Sequence, residues 1–234
     1  MRDAEPTEPL LNMMKHREVA EPQVFPDRGD IDSLETLRAA LKGCTACPLY
    51  KPATQVVPGK GPVNAPLMMV GEQPGDREDL EGEPFIGPAG TLLRELMAEV
   101  GVDPDLAYVT NAVKHFKFEP RGKRRIHQNP STGEIDQCKW WLQREIELVR
   151  PRIVMALGGS AVRALTGRTQ TIKSLRGSVH QLDLGQAGGR NGSADLVVAN
   201  HPSFILRVPN EEARQAARRG LLEDLATVRD LLAA

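Results

Sequence analysis

A three-layer α/β/α sandwich around a central four-stranded parallel sheet is the fold class this sequence predicts, and three observations predict it. Four short, β-rich apolar runs recur along the chain: APLMMVG (65–71), AYVTNAV (107–113), RIVMALG (152–158) and ADLVVAN (194–200). Each is nearly continuous in apolar residues rather than alternating, which suits a strand buried on both faces. Turn residues and then a helical pattern follow each run, and strand–helix alternation builds parallel sheets through right-handed crossovers.

The elements follow in chain order. Residues 1–33 are rich in proline and acids and read as a mobile extension ahead of a domain over 34–234. DSLETLRAALKG (32–43) predicts a short helix, with Asp32 as N-cap and Gly43 as its stop. Helices are then expected over 89–100, 134–149 and 159–167, and a last one over 211–233, where PNEEAR supplies an N-terminal Asn and an early acidic pair. The stretch 175–193 reads as a hairpin or loop, and GQAGGRNGS inside it is dense in turn residues.

Composition bounds the function classes. With 40% hydrophobic and 26% charged residues the chain is of the soluble globular kind. No run approaches ~18 uninterrupted apolar residues, so no membrane span is expected. The first thirty residues hold no signal-type apolar core, and a cytoplasmic monomer is expected. A net charge of −1 excludes a protein that grips nucleic acid by bulk electrostatics. Charge is uneven, however: six basic residues stand against the single acid Glu119 between Lys114 and Arg125. On charge alone that run is a solvated loop or a phosphate grip.

The three cysteines do not suggest a disulfide framework in a reducing compartment. CTAC places Cys44 and Cys47 at C-x-x-C spacing, and Cys138 lies far downstream. A fourth ligand would complete an iron or zinc site, and His115 is the best-placed candidate. Ligands of open α/β sheets bind beyond the carboxyl ends of the strands. Glu72 and Gln73, Asn111 and His201 stand there: an acid, two amides and an imidazole.

Together, CTACPLY (44–50), GEQPGDREDLEGEPFIGPAGTLL (71–93), VTNAVKHF (109–116) and HPSFILR (201–207) resemble the iron–sulfur uracil-DNA glycosylases of family 4. GEQPGD, NAVKHF and the KRRIH stretch (123–127) resemble the UdgX-type branch more closely. The resemblance spans about 44–230. It implies a uracil-DNA glycosylase fold and a [4Fe–4S] cluster on Cys44, Cys47, His115 and Cys138, with histidine where family 4 typically has cysteine. It implies a partner, uracil-containing DNA, with single strands preferred.

The resemblance also assigns roles. Phe85 stacks on the flipped base. The amide of Asn111 reads the uracil edge, since it offers both a donor and an acceptor. His201 hydrogen-bonds the departing uracil. Glu72 stabilises the cationic sugar, orients a water or polarises a neighbouring side chain. Gln73 binds base or sugar, while Gly71 and Gly75 permit close backbone approach. Ser203, Lys123, Arg124 and Arg125 hold phosphates. His127 is the nucleophile that attacks C1′ and leaves the protein covalently joined to DNA. A turnover glycosylase, in which water reaches C1′ first, and a non-catalytic binder of uracil-DNA are the rival readings.

Overall fold

The computed structural model describes residues 25–185 and 192–234. Most of GQAGGRNGS and most of the N-terminal extension lie outside the described residues.

All four expected strands form: β1 (Leu67–Gly71), β2 (Ala107–Asn111), β5 (Ile153–Leu157) and β7 (Ser193–Ala199). They run parallel in the order β2-β1-β5-β7. The sheet has a fifth member that the sequence reading left out, β6 (Val179–Asp183), which pairs antiparallel with β7 at the edge. The 175–193 stretch is thus a hairpin limb that enlarges the sheet. β6 exposes three of its five residues, so its sequence carries no buried-strand signature.

Alternate residues of the strands feed two cores. Met68, Val70 and Val154 join Leu37, Leu41 and Trp141 on one face, while Leu67, Met69 and Met155 join Leu96 and Leu225 on the other. The first face is covered by α1 (Leu34–Leu41), α4 (Thr132–Val149) and α5 (Gly159–Thr166). The second is covered by α3 (Pro88–Val100) and α8 (Glu211–Ala233). Short helices α2 (Asp76–Glu81), α6 (Ile172–Leu175) and α7 (Pro202–Arg207) lie in the connections.

Two expectations about the start of the domain change. Ser33, not Asp32, caps α1: its side chain accepts from the Thr36 N–H, and Thr36 returns the bond to the Ser33 N–H. Asp32 instead accepts from the Thr36 hydroxyl. Residues 25–33, expected in the mobile extension, also pack. Ile31 is buried and the Phe25 ring stacks on Trp140 at 5.0 Å. At the far end Asn210 caps α8 as its sequence predicts, accepting from the Ala213 N–H at 2.9 Å.

The basic run is neither a plain loop nor part of the main sheet. It folds as an antiparallel ribbon of β3 (Phe118–Arg121) and β4 (Arg124–His127), with Gly122 at φ 60° in the turn. Nearly all its side chains are half-buried or exposed.

Candidate active site

A cavity of about 340 Å³ opens at the carboxyl end of the sheet, where the topology places ligand sites. Phe85, Asn111, His127 and His201 face into it.

The floor is set by β1 and β2. Gly71 and Asn111 are paired in register at the strand ends. A Cβ on Gly71 would stand 2.4 Å from Asn111 Oδ1 and 2.8 Å from Phe85 Cζ, so the amide and the ring occupy space that any side chain would take. Phe85 itself has φ 58°, the left-handed region that a bulky residue rarely adopts. Arg94 Nη1 donates to its carbonyl at 2.7 Å. Gly90 lies so close beneath that a Cβ there would meet that same carbonyl oxygen at 1.8 Å. Strain of this kind persists where surrounding contacts over-determine it, as they do here. Glu78 adds to the frame by accepting from the Gly87 N–H at 2.9 Å, which fixes the loop before α3.

His201 caps α7. Its Nδ1 accepts from the Ser203 N–H at 3.2 Å and lies 2.8 Å from Ser203 Oγ. Burial first, then the positive Arg207 and His127, push its pKa down to about 4. The ring is therefore neutral at pH 7 with Nδ1 used as an acceptor, which leaves the proton on Nε2 as a hydrogen-bond donor. Ser203, expected at a phosphate, instead braces this imidazole and accepts from Arg207 at 3.0 Å.

Glu72 follows β1 but does not line the cavity. Its Oε1 stands 3.5 Å from His127 Nε2, and its Oε2 accepts from Ser160 Oγ at 2.6 Å. Burial lowers the His127 pKa, Glu72 opposes that shift and Arg207 adds to it. His127 is thereby biased toward the neutral form that carries a lone pair.

Polar contacts fix the ribbon that carries His127. Gln73, expected against base or sugar through its backbone or amide, lines the cavity and uses its side-chain amide on the ribbon's two ends. Nε2 donates to the carbonyls of Lys117 (3.1 Å) and Gln128 (3.0 Å), and Oε1 accepts from the Lys117 N–H (3.2 Å). Arg125 is engaged in the same way. It pairs with Asp76 at 2.6 Å and Asp79 at 2.5 Å, reaches Thr54 Oγ1 at 3.0 Å, and lies over the rings of Phe116 and Phe118. Its guanidinium is thus engaged by two carboxylates of α2 at the protein surface, beside the phosphate role expected of it. Lys123 is in the turn and Arg124 opens β4, and both are exposed. Gly75 faces the cavity, and a Cβ there would stand 2.6 Å from Glu78 Oε2.

The sequence reading missed Ser160, Asp76, Asp79, Glu78, Arg94 and Arg207. The acidic run DREDLE after GEQPG was the one available signal for three of them.

The cysteines gather on the far side of β2 from the cavity-facing residues. Cys44, Cys47 and Cys138 are all buried free thiols that share one core cluster. Cys44 accepts from Trp141 Nε1 at 3.1 Å, and Cys138 accepts from the Lys114 N–H at 3.3 Å. Burial pushes the Cys138 thiol up to about 12, and the other two cysteines add to the shift. Burial likewise raises Cys47 and lowers the buried His115 to about 4. Thiolates in such a place need a cation, and an unprotonated imidazole is the ligating form. Among the described residues no three His, Cys, Asp or Glu side chains converge on the position of a single metal ion.

Between the two sites lies a buried ion pair. Lys114 Nζ contacts Glu145 Oε2 at 2.6 Å, Thr110 Oγ1 at 2.7 Å and the Asn111 carbonyl at 2.8 Å. Tyr108, Thr110 and the Gly59 N–H complete the carboxylate's hydrogen bonds.

Comparisons with known proteins agree with this geometry. The family model described as the uracil DNA glycosylase superfamily matches residues 58–226. A type-4 uracil-DNA glycosylase of Thermotoga maritima is 33% identical over 200 residues, covering 85% of this chain and 94% of its own. One from Archaeoglobus fulgidus is 33% identical over 184 residues, covering 76% and 86%. One from Sulfurisphaera tokodaii is 31% identical over 208 residues, covering 86% of each chain.

Proposed function

The chain belongs to the uracil DNA glycosylase superfamily, and on that premise we propose that it excises uracil from DNA and captures the resulting sugar covalently through His127. The observation that carries the second half is the contact of His127 Nε2 with Glu72 Oε1 at 3.5 Å, beside the cavity that His201, Asn111 and Phe85 face.

A flipped uracil enters the cavity and lies on Phe85, whose position is fixed before the base arrives. Asn111 offers its amide to N3–H and O4. Cleavage of the C1′–N1 bond sends its electron pair out with uracil. The neutral His201 ring donates Nε2–H to uracil O2 and so stabilises that anion. A donor of this kind is worth about 3–4 kcal/mol in other enzymes. Glu72 acts beside His127: its charge favours the developing cation and then offsets the positive charge of the newly alkylated ring. The Nε2 lone pair then forms the new bond to C1′. An N-alkylated imidazole is a poor leaving group, so the adduct lasts. Lys123 and Arg124 contact phosphates, while Arg125 and Gln73 hold the ribbon in register.

Cys44, Cys47, His115 and Cys138 would hold a [4Fe–4S] cluster. Supporting this are the three buried free thiols in one core cluster and the burial that keeps His115 in its unprotonated, ligating form. None of the four lines the cavity. The cluster would supply a tie between the segment after α1, the segment after β2 and α4, away from the reacting atoms. Iron and acid-labile sulfide in about equal amounts, in protein purified without oxygen, are expected; one zinc in their place would refute the cluster.

The test of capture is a denaturing gel after incubation with uracil-containing single-stranded DNA. A heat-stable protein–DNA band is expected, and His127→Ser should remove it while uracil release continues. A wild-type protein that yields only free abasic DNA overturns the covalent reading.

A further inference from the structure

We infer that Ser160 is the positioning residue that decides whether His127 or water captures the sugar, by fixing how Glu72 divides its two oxygens. The inference rests on the covalent reading above.

Ser160 comes from an element with no other part in the site. It is the second residue of α5, and β5 turns directly into that helix through Gly158, which has φ 97°. β5 is the neighbour of β1, with Val70 opposite Ala156. Ser160 therefore stands at the carboxyl end of the strand next to the one that delivers Glu72. Its Oγ donates to Glu72 Oε2 at 2.6 Å, a short hydrogen bond of the charge-assisted kind. The other oxygen, Oε1, is the one near His127 Nε2. Ser160 is not among the residues that line the cavity, so it acts through Glu72 and not on the substrate.

The two halves of the reaction depend on this bond differently. A carboxylate turns easily about its last torsion, and that torsion has no sharp preference of its own. Charge shared by both oxygens stabilises a cationic sugar in any of those orientations. Attraction between one oxygen and the imidazole depends on which oxygen is near, and Oε1, 3.5 Å from His127 Nε2, loses that place when the carboxylate turns. The Ser160 hydroxyl occupies Oε2 and leaves Oε1 as the oxygen that faces His127. In the capture step the electron pair of C1′–N1 leaves on uracil, and the Nε2 lone pair of neutral His127, whose proton is on Nδ1, forms the C1′–Nε2 bond. Glu72 offsets the positive charge the ring then carries, and the Nδ1 proton is lost to solvent. Removal of the hydroxyl loosens the aim of the imidazole more than it weakens bond cleavage. Water then reaches C1′ more often.

The test compares full-length wild type, Ser160→Ala and Ser160→Thr on uracil-containing single-stranded DNA in single turnover. Total uracil released and denaturant-stable adduct are measured in the same samples, and KM for the DNA is determined alongside. In Ser160→Ala the adduct share of released uracil should fall by about tenfold, the scale of one charge-assisted hydrogen bond. Total release and KM should change little, and Ser160→Thr, which keeps the hydroxyl, should restore the share. An unchanged share in Ser160→Ala overturns the inference. So does a proportionate loss of release and adduct, which would mark general damage, and so does a Thr variant that behaves like Ala. A wild type that releases uracil without any adduct removes the covalent reading and this inference together. A wild type that forms the adduct while Ser160→Ala keeps its share removes the Ser160 inference alone.

Discussion

The central sheet and the β3–β4 ribbon both present groups to the same cavity, and they are held by opposite means. The sheet is fixed by burial on two faces: every residue of β1 and β5 is buried, and each strand shares a register with its neighbours. The ribbon has few buried residues of its own. A handful of directed contacts locate it: the Gln73 amide on its ends, Arg125 with Asp76 and Asp79, and Lys117 with Glu134 at 2.9 Å. Asn111, at the end of β2, belongs to the first regime and His127 to the second. On the proposed function, excision and capture would therefore rest on different physics and should be separable.

The largest effect is expected where the sheet's polar interior is broken. Glu145→Ala leaves Lys114 charged, buried and unpaired, and should cost about 3–5 kcal/mol of stability. Denaturant unfolding checks this, and uracil release and adduct should decline together. A double change, Lys114→Met with Glu145→Leu, should recover much of the stability, because an apolar pair of similar volume can replace a buried ion pair. If Glu145→Ala unfolds like wild type, the sheet does not depend on this pair.

Arg125→Ala should sharpen the contrast. It releases the ribbon from α2 and from the faces of Phe116 and Phe118. Adduct formation should fall by about tenfold or more, on the scale of a lost charge-assisted pair. The unfolding midpoint should fall less than in Glu145→Ala, because buried Asp79 loses its cation but keeps the Thr54 N–H. Equal losses of uracil release and adduct would show that the ribbon also supports excision.

The smallest effect belongs to the ribbon's outward cations. Lys123→Ala and Arg124→Ala should each weaken DNA binding without regard to sequence and flatten the salt dependence by about one unit of slope. Binding titrations at several salt concentrations measure it, and an unchanged slope would remove that residue from the phosphate contacts.

The same contrast explains what the sequence made legible. Strands buried on both faces announce themselves as apolar runs, so all four parallel strands were readable within a residue or two. Once they were placed, strand topology picked out Glu72, Asn111 and His201. The ribbon and β6 were not readable, because partly exposed strands have no apolar signature. Nor were the anchors of Arg125: Asp76 and Asp79 precede it by more than forty residues, and charge pairing over that separation leaves no periodic trace. Arg125 and Gln73 looked available for DNA for that reason. Ser160 was hidden differently, since a serine at the start of a helix ordinarily reads as part of that helix alone.

Along α4, Cys138, Trp141, Leu142 and Glu145 recur at spacings of three and four, which puts them on one stripe. Cys138 and Trp141 serve the thiol corner, and Glu145 holds the lysine that grips the Asn111 carbonyl. Heritable change on this helix face therefore answers to two selections at once. A substitution that suits the thiol corner but rotates the helix also shifts the lysine that holds the Asn111 carbonyl. Paths between variants should run through paired replacements at 138–141 and 145, with single steps rare.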